Sequence, residues 1–129
     1  MTIHRSKERI KQTGEVFTKL ELVDEMLSKL PEEVWAPDKT FLEPSCGDGN
    51  FLVRIVAWKI WKGSTAKQAL ETTYGVDMMP DNVSASRRRI ITNAFMADQW
   101  AADHDTVLPF LTVEHERQIG HLPGHDEFA

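Results

Sequence analysis

The stretch Phe41-Leu42-Glu43-Pro44-Ser45-Cys46-Gly47-Asp48-Gly49-Asn50-Phe51-Leu52 constrains this chain more tightly than any other part of it. It opens as a short strand, turns on two glycines that frame an aspartate, and passes straight into a helical pattern. Glycine at such a turn can adopt positive φ and lets backbone approach a ligand closely. The helix that follows offers N–H groups with no intrahelical partner to polar ligand atoms. A second strand-like piece, Thr73-Tyr74-Gly75-Val76-Asp77, ends in a carboxylate 28 residues after Gly49. That is roughly the strand, loop, helix, strand and acid layout of nucleotide-type sites, in which the acid takes ribose hydroxyls. The glycines are spaced Gly-x-Gly without a third, so the pattern is not a dinucleotide fingerprint. Taken singly, a Gly-Asp-Gly turn is also an ordinary tight connection into a helix, and Asp77 is also a plain helix cap or surface acid.

The periodicity around this stretch predicts an α/β domain. Leu20, Val23, Met26, Leu27 and Leu30 mark one face of a helix that Thr18 caps, with Glu21 completing a capping box and Pro31 as the stop. Residues 31–39 connect to a strand around Thr40–Glu43. The helix of about Asn50–Lys62 has almost no polar face, which predicts burial on more than one side. Gly63 ends it, and Ser64 or Thr65 caps a short helix to about Glu71. After the second strand, Asp81 or Asn82 caps a helix of about Val83–Asn93. Thr106–Val113 reads as a third strand that Pro109 confines to an edge or breaks. The resulting division is a flexible basic arm over 1–12, a domain over 13–113, and an irregular tail over 114–129.

At 129 residues the chain makes at most one domain, and its net charge of −5 argues against a protein dedicated to coating nucleic acid. Basic residues nevertheless cluster at His4, Arg5, Lys7, Arg9 and Lys11, and again at Arg87, Arg88 and Arg89. Either cluster could reach DNA phosphates, and either could be a solvated face. Cys46 is the sole cysteine, so an intrachain disulfide is impossible. The longest apolar run, Phe51 to Trp61, is interrupted by Arg54 and Lys59, so no membrane span is expected and the cytoplasm is the default location. The spacing of His115, His121 and His125 fits no standard metal site.

Glu43-Pro44-x-Cys46-Gly47-x-Gly49-x-Phe51 resembles motif I of the S-adenosylmethionine-dependent DNA amino-methyltransferases, in the group that methylates the exocyclic amine of adenine. Tyr74-Gly75-Val76-Asp77-Met78-Met79-Pro80-Asp81-Asn82 is similar to that family's second motif. Thr13-Gly14-Glu15-Val16-Phe17-Thr18 is similar to its N-terminal segment, which closes over the methionine end of the cofactor. The three stand in family order and cover about residues 13–90. The resemblance implies a partial Rossmann-like methyltransferase fold, with parallel strands and flanking helices, from which the C-terminal half of the sheet is missing. It implies that the loop Cys46, Gly47, Asp48, Gly49 and Asn50 lies under the methionine part and contributes backbone N–H groups. Glu43, followed by Pro44, would organise the amino-acid end, and Asp77 would accept the ribose hydroxyls. Met78 would pack on adenine, and Phe17 and Thr18 would lie near the carboxylate. Asp48 would face the ligand or cap the helix. Cys46 has no nucleophilic role in this reading.

Two departures limit what the resemblance implies. Relatives carry Asn/Asp-Pro-Pro-aromatic after their fourth strand to bind the flipped base, and this sequence contains no Pro-Pro pair. Few residues follow Val113 to make the remaining strands. Lys19 also stands where relatives commonly have proline. The expectation is therefore the cofactor-holding half of a methyltransferase, of restriction-modification or phage origin, with no catalytic residues of its own. Removing the fourth strand would leave an open edge beside the first, and the helix with Trp58 and Trp61 would lose a neighbour. A homodimer, or a complementary methyltransferase subunit, would mend both. The competing expectation is a non-catalytic interaction protein, a decoy or regulator that binds a methyltransferase or restriction complex. DNA is a further candidate partner, through Arg87, Arg88 and Arg89.

Overall fold

The computed structural model describes Ser6, Lys7 and residues 18–119. Helix α1 spans Leu20–Ser28 and is followed by a 3-10 turn at Glu32–Trp35. Strand β1 (Phe41–Glu43) leads into α2 (Asn50–Trp61), α3 (Ala66–Glu71) and strand β2 (Thr73–Gly75). Helix α4 (Pro80–Asp103) and α5 (Val113–Ile119) complete the described chain. The two strands pair in parallel, Phe41 opposite Thr73, Leu42 opposite Tyr74 and Glu43 opposite Gly75. The class is thus mixed α/β, a small parallel sheet with flanking helices. The expectations that rest on Thr13–Phe17, on most of the 1–12 arm and on residues 120–129, including His121 and His125, lie outside the described residues. No helix among the described residues is long and apolar enough to cross a membrane.

Helix α2 is the hub, which explains its missing polar face. One side packs Val56, Ala57 and Ile60 against α3 and α4, with Leu108, Leu111 and Ile119 closing that cluster. The other side packs Ile55 and Trp58 against Val23 and Leu27 of α1 and against Trp35. Burying a side chain of this size is worth about 1.5–3 kcal/mol. Trp58 and Trp61 have aromatic neighbours within the chain. Trp58 is 8% exposed and stacks on Trp35 at 5.5 Å between centroids, with Trp61 edge-on at 5.1 Å.

Other sequence expectations shift for local reasons. Helix α1 starts after Lys19, and no side chain caps it, so the Thr18–Glu21 box does not form. The Thr18 carbonyl instead accepts from Asn50 Nδ2 at 2.6 Å. Only Leu20, Val23 and Leu27 of the expected face are buried, whereas Met26 and Leu30 are exposed. Thr65 does close a capping box with Gln68. Helix α4 begins at Pro80 rather than Val83, because proline is pre-shaped for the first helical position and has no N–H to leave unpaired. It also runs ten residues past Asn93, to Asp103. The added turns are rich in alanine, a strong helix former, and they bury Ala94, Phe95 and Ala97. No third strand forms at Thr106–Val113 among the described residues; Leu108 and Leu111, three apart, turn into the core on irregular backbone. The expected irregular tail is helical at its start, as α5.

Candidate functional site

The strands end side by side, and their ends are stitched together beyond the ladder. Val76 N–H donates to Glu43 O at 3.0 Å, and Cys46 N–H donates to Val76 O at 2.9 Å. The next residue on each strand then meets its counterpart, Gly47 N–H donating to Asp77 Oδ2 at 3.1 Å. Asp77 Oδ1 accepts from Met79 N at 2.8 Å and from Asn82 Nδ2 at 3.1 Å. One carboxylate therefore ties the glycine turn to the start of α4. The carboxyl ends of neighbouring parallel strands, followed by helix N-termini, are where open α/β sheets hold ligands.

Around that junction, Glu43 and Asp77 are half-buried, while Pro44 and Met78 are exposed, Met78 to 86%. Glu43 Oε1 accepts from Ser45 N–H at 3.1 Å. Thr18 is half-buried next to the loop; Phe17 lies outside the described residues. Gly47 and Gly49 both have positive φ, 54° and 97°. At Gly49 a second demand is added, because a Cβ there would stand 3.1 Å from the Ser86 Cα on α4. A Cβ on Gly75 would stand 2.6 Å from the Leu52 Cδ1 tip and 3.0 Å from Cys46 Cβ, so the Leu52 side chain would have to shift.

The loop's side chains point inward. Asp48 is 1% exposed and Asn50 3%. The Asp48 carboxylate lies 3.6 Å from Arg89, and the cap position of α2 is Gly49, with no side-chain bond. Asn50 Oδ1 accepts from Arg89 Nη1 at 2.8 Å. All five residues of the loop, Gly47 and Gly49 included, are buried. Cys46 is buried, with Sγ 3.8 Å from Ser86 Oγ, and Ser86 in turn donates to Gly47 O at 3.0 Å. Burial pushes the Cys46 thiol up, with the Asp77 charge adding to it and the Ser86 hydroxyl partly opposing. A thiol held protonated is a poor nucleophile.

The basic knot on α4 divides. Arg87 and Arg88 are exposed, but Arg89 is 5% exposed and paired, so it is not available to a DNA phosphate. Sequence reasoning missed Asn82, Ser86, Arg89 and Asn93 as a set. They recur at helical spacing and form a buried polar stripe facing the loop. That spacing was visible in the sequence, hidden by reading Arg89 with its neighbours instead of with its helix face. His115 lies on α5, and no group of three or more candidate metal ligands occurs among the described residues. No family model, curated protein or solved structure matches the chain.

Proposed function

We propose that this chain is an S-adenosylmethionine-binding, methyltransferase-like domain related to the DNA adenine methyltransferases. The observation that carries the reading is the meeting of Asp77 with the glycine turn at the carboxyl ends of two adjacent parallel strands. The donor set suits the cofactor. Asp77 Oδ2 takes one bond from Gly47 and keeps capacity for a ribose hydroxyl. Glu43 stands at the end of β1 for the ammonium of the amino-acid part, and the exposed Met78 side chain offers an apolar, polarisable surface to an adenine ring. When bound, S-adenosylmethionine supplies an electrophilic sulfonium methyl. Transfer to adenine is an in-line attack by the amine, which requires both reactants to be positioned together. The acceptor side, Asn/Asp-Pro-Pro-aromatic, is not in this sequence, so we assign transfer to a complex with a chain that carries it.

The sheet has room for such a partner, whether a complementary subunit or a second copy. Among the described residues β1 pairs only with β2. Leu42, Tyr74 and Val76 are 66%, 53% and 57% exposed, an apolar row on adjacent strand ends. A second reading, an interaction protein without chemistry, is favoured by the structural duties of Asp77 and Gly49, both of which the fold needs with no ligand present. Calorimetric titration with S-adenosylmethionine separates the two. Because Asp77→Ala would also loosen the loop, the informative variant is Met78→Asp, at a side chain open to solvent. Saturable binding that Met78→Asp weakens, with an unchanged thermal transition, supports the cofactor reading. A folded chain that takes up nothing at millimolar ligand transfers the lead to the interaction reading.

A further inference from the structure

Buried positions four, three and four residues apart on a helix are normally apolar. On α4 they are Asn82, Ser86, Arg89 and Asn93, at 0%, 4%, 5% and 2% exposure. Each touches a different part of the loop's support. Asn82 bonds Asp77, Ser86 bonds the Gly47 carbonyl, and Arg89 bonds Asp48 O at 3.1 Å together with Asn50 Oδ1. Asn93 donates to Glu116 Oε1 at 3.1 Å and to the Arg89 carbonyl at 2.8 Å. Glu116, on α5, faces the other side of the same guanidinium, its two oxygens 3.1 and 3.3 Å from Arg89 Nε.

We propose that Arg89 is a positioning residue for the Cys46–Asn50 loop and that Glu116 sets it, so that docking of α5 and ligand affinity at the loop are linked. The guanidinium is planar, so a carboxylate that fixes Nε also fixes the direction of Nη1. Nη1 in turn holds the Asp48 carbonyl and the Asn50 amide, and Asn50 holds Thr18 where the chain enters α1. Three segments distant in sequence are therefore connected through Arg89 and Asn50. Linkage is reciprocal: if α5 in place orders the loop for a ligand, the ligand must hold α5 in place by the same factor. The ligand's identity rests on the S-adenosylmethionine reading; the tie between α5 and the loop rests on the hydrogen bonds alone.

Glu116→Gln keeps an acceptor oxygen but removes the charge that aligns Arg89. Ile119→Ala loosens α5 through the apolar cluster without touching Arg89. Both variants should weaken S-adenosylmethionine binding in calorimetry, Glu116→Gln by about tenfold, in the middle of the usual range for coupled sites. In the ligand-free chain, amide exchange at residues 46–50 should quicken in both. Saturating S-adenosylmethionine should slow exchange over Val113–Ile119 in the unaltered chain by a matching factor. Loop exchange unchanged in folded Glu116→Gln or Ile119→Ala would overturn the proposal. If the substitutions unfold the chain, ligand-independent exchange at α5 in the unaltered protein overturns it instead. Absence of binding by the unaltered chain would sink the cofactor reading, and the ligand-free loop exchange would still decide the link.

Discussion

Where β1 and β2 begin, the chain is held by rings and one ammonium; where they end, it is held by amides, carboxylates and one guanidinium. At the first end Lys59 Nζ donates to Thr72 O at 2.9 Å and to Thr72 Oγ1 at 2.7 Å, and lies 4.7 Å from the centre of the Phe41 ring. Trp35 stacks on Phe41 and Trp58 beside it. At the second end Asp77, Ser86, Arg89 and Asn50 bond the glycine turn atom by atom. The burial of rings is driven mainly by area, with a weaker preference for stacked or edge-on geometry. Hydrogen bonds to charged groups fix geometry to tenths of an ångström and fail sharply when one partner is lost. Ring packing is concentrated at the end with no proposed ligand, where Lys59 alone supplies charged hydrogen bonds, and polar bonding predominates at the other.

Four experiments test that contrast, beginning with the largest effect. Trp35→Ala should cost about 3–5 kcal/mol in urea unfolding, the usual cost of deleting a buried indole, while leaving amide exchange of the glycine loop in the folded state unchanged. A loop that loosened with it would show that the two ends are one unit.

Asp24 sits between the regimes, accepting from Arg54 Nε at 2.7 Å, Arg54 Nη2 at 2.9 Å and Trp58 Nε1 at 3.1 Å. Arg54 Nη1 is buried without a hydrogen-bond partner. Asp24→Ala should therefore cost about 3 kcal/mol by stranding the guanidinium charge, and Asp24→Leu with Arg54→Met should recover most of it. Equal losses in the single and double variants would refute stranding as the cause.

Gly49→Ala combines unfavourable positive φ with a close approach to the Ser86 backbone, and about 2 kcal/mol is expected from strain of this kind. A fall below 0.5 kcal/mol, on the order of an ordinary surface change, would mean that α4 yields easily beneath the loop.

The last test, at Lys59, is read as a slope of stability with pH. Burial lowers its ammonium from an ordinary 10.5 to about 8. Between those values the unfolded chain holds a proton that the folded chain has released, so stability should rise with pH across the window. Subtracting the Lys59→Met profile isolates this slope; a flat difference from pH 8 to 10.5 would remove the buried-cation account.

Much of the loop end was legible because its elements are local. The strand, the Gly-Asp-Gly turn, helix α2 and the acid after β2 each occupy a few consecutive residues with strong preferences. The uncapped start of α1 was not legible, since Thr18 has the chemistry of a cap and only the distant Asn50 turns its carbonyl to another use. The same holds for Arg89: neighbours of like charge suggest a surface, and Glu116, 27 residues on, decides otherwise. Residues 106–113 failed differently, through a short apolar run whose burial at Leu108 and Leu111 follows a turn spacing that strand logic does not use.

Cys46 turns all of this into something that can be timed. It is the only thiol in the chain, and it is buried beneath the glycine turn, with its ionisation suppressed by that burial. An alkylating reagent can reach it only when the turn lifts. The rate of modification is thus a clock for loop opening that needs no label and no engineered residue.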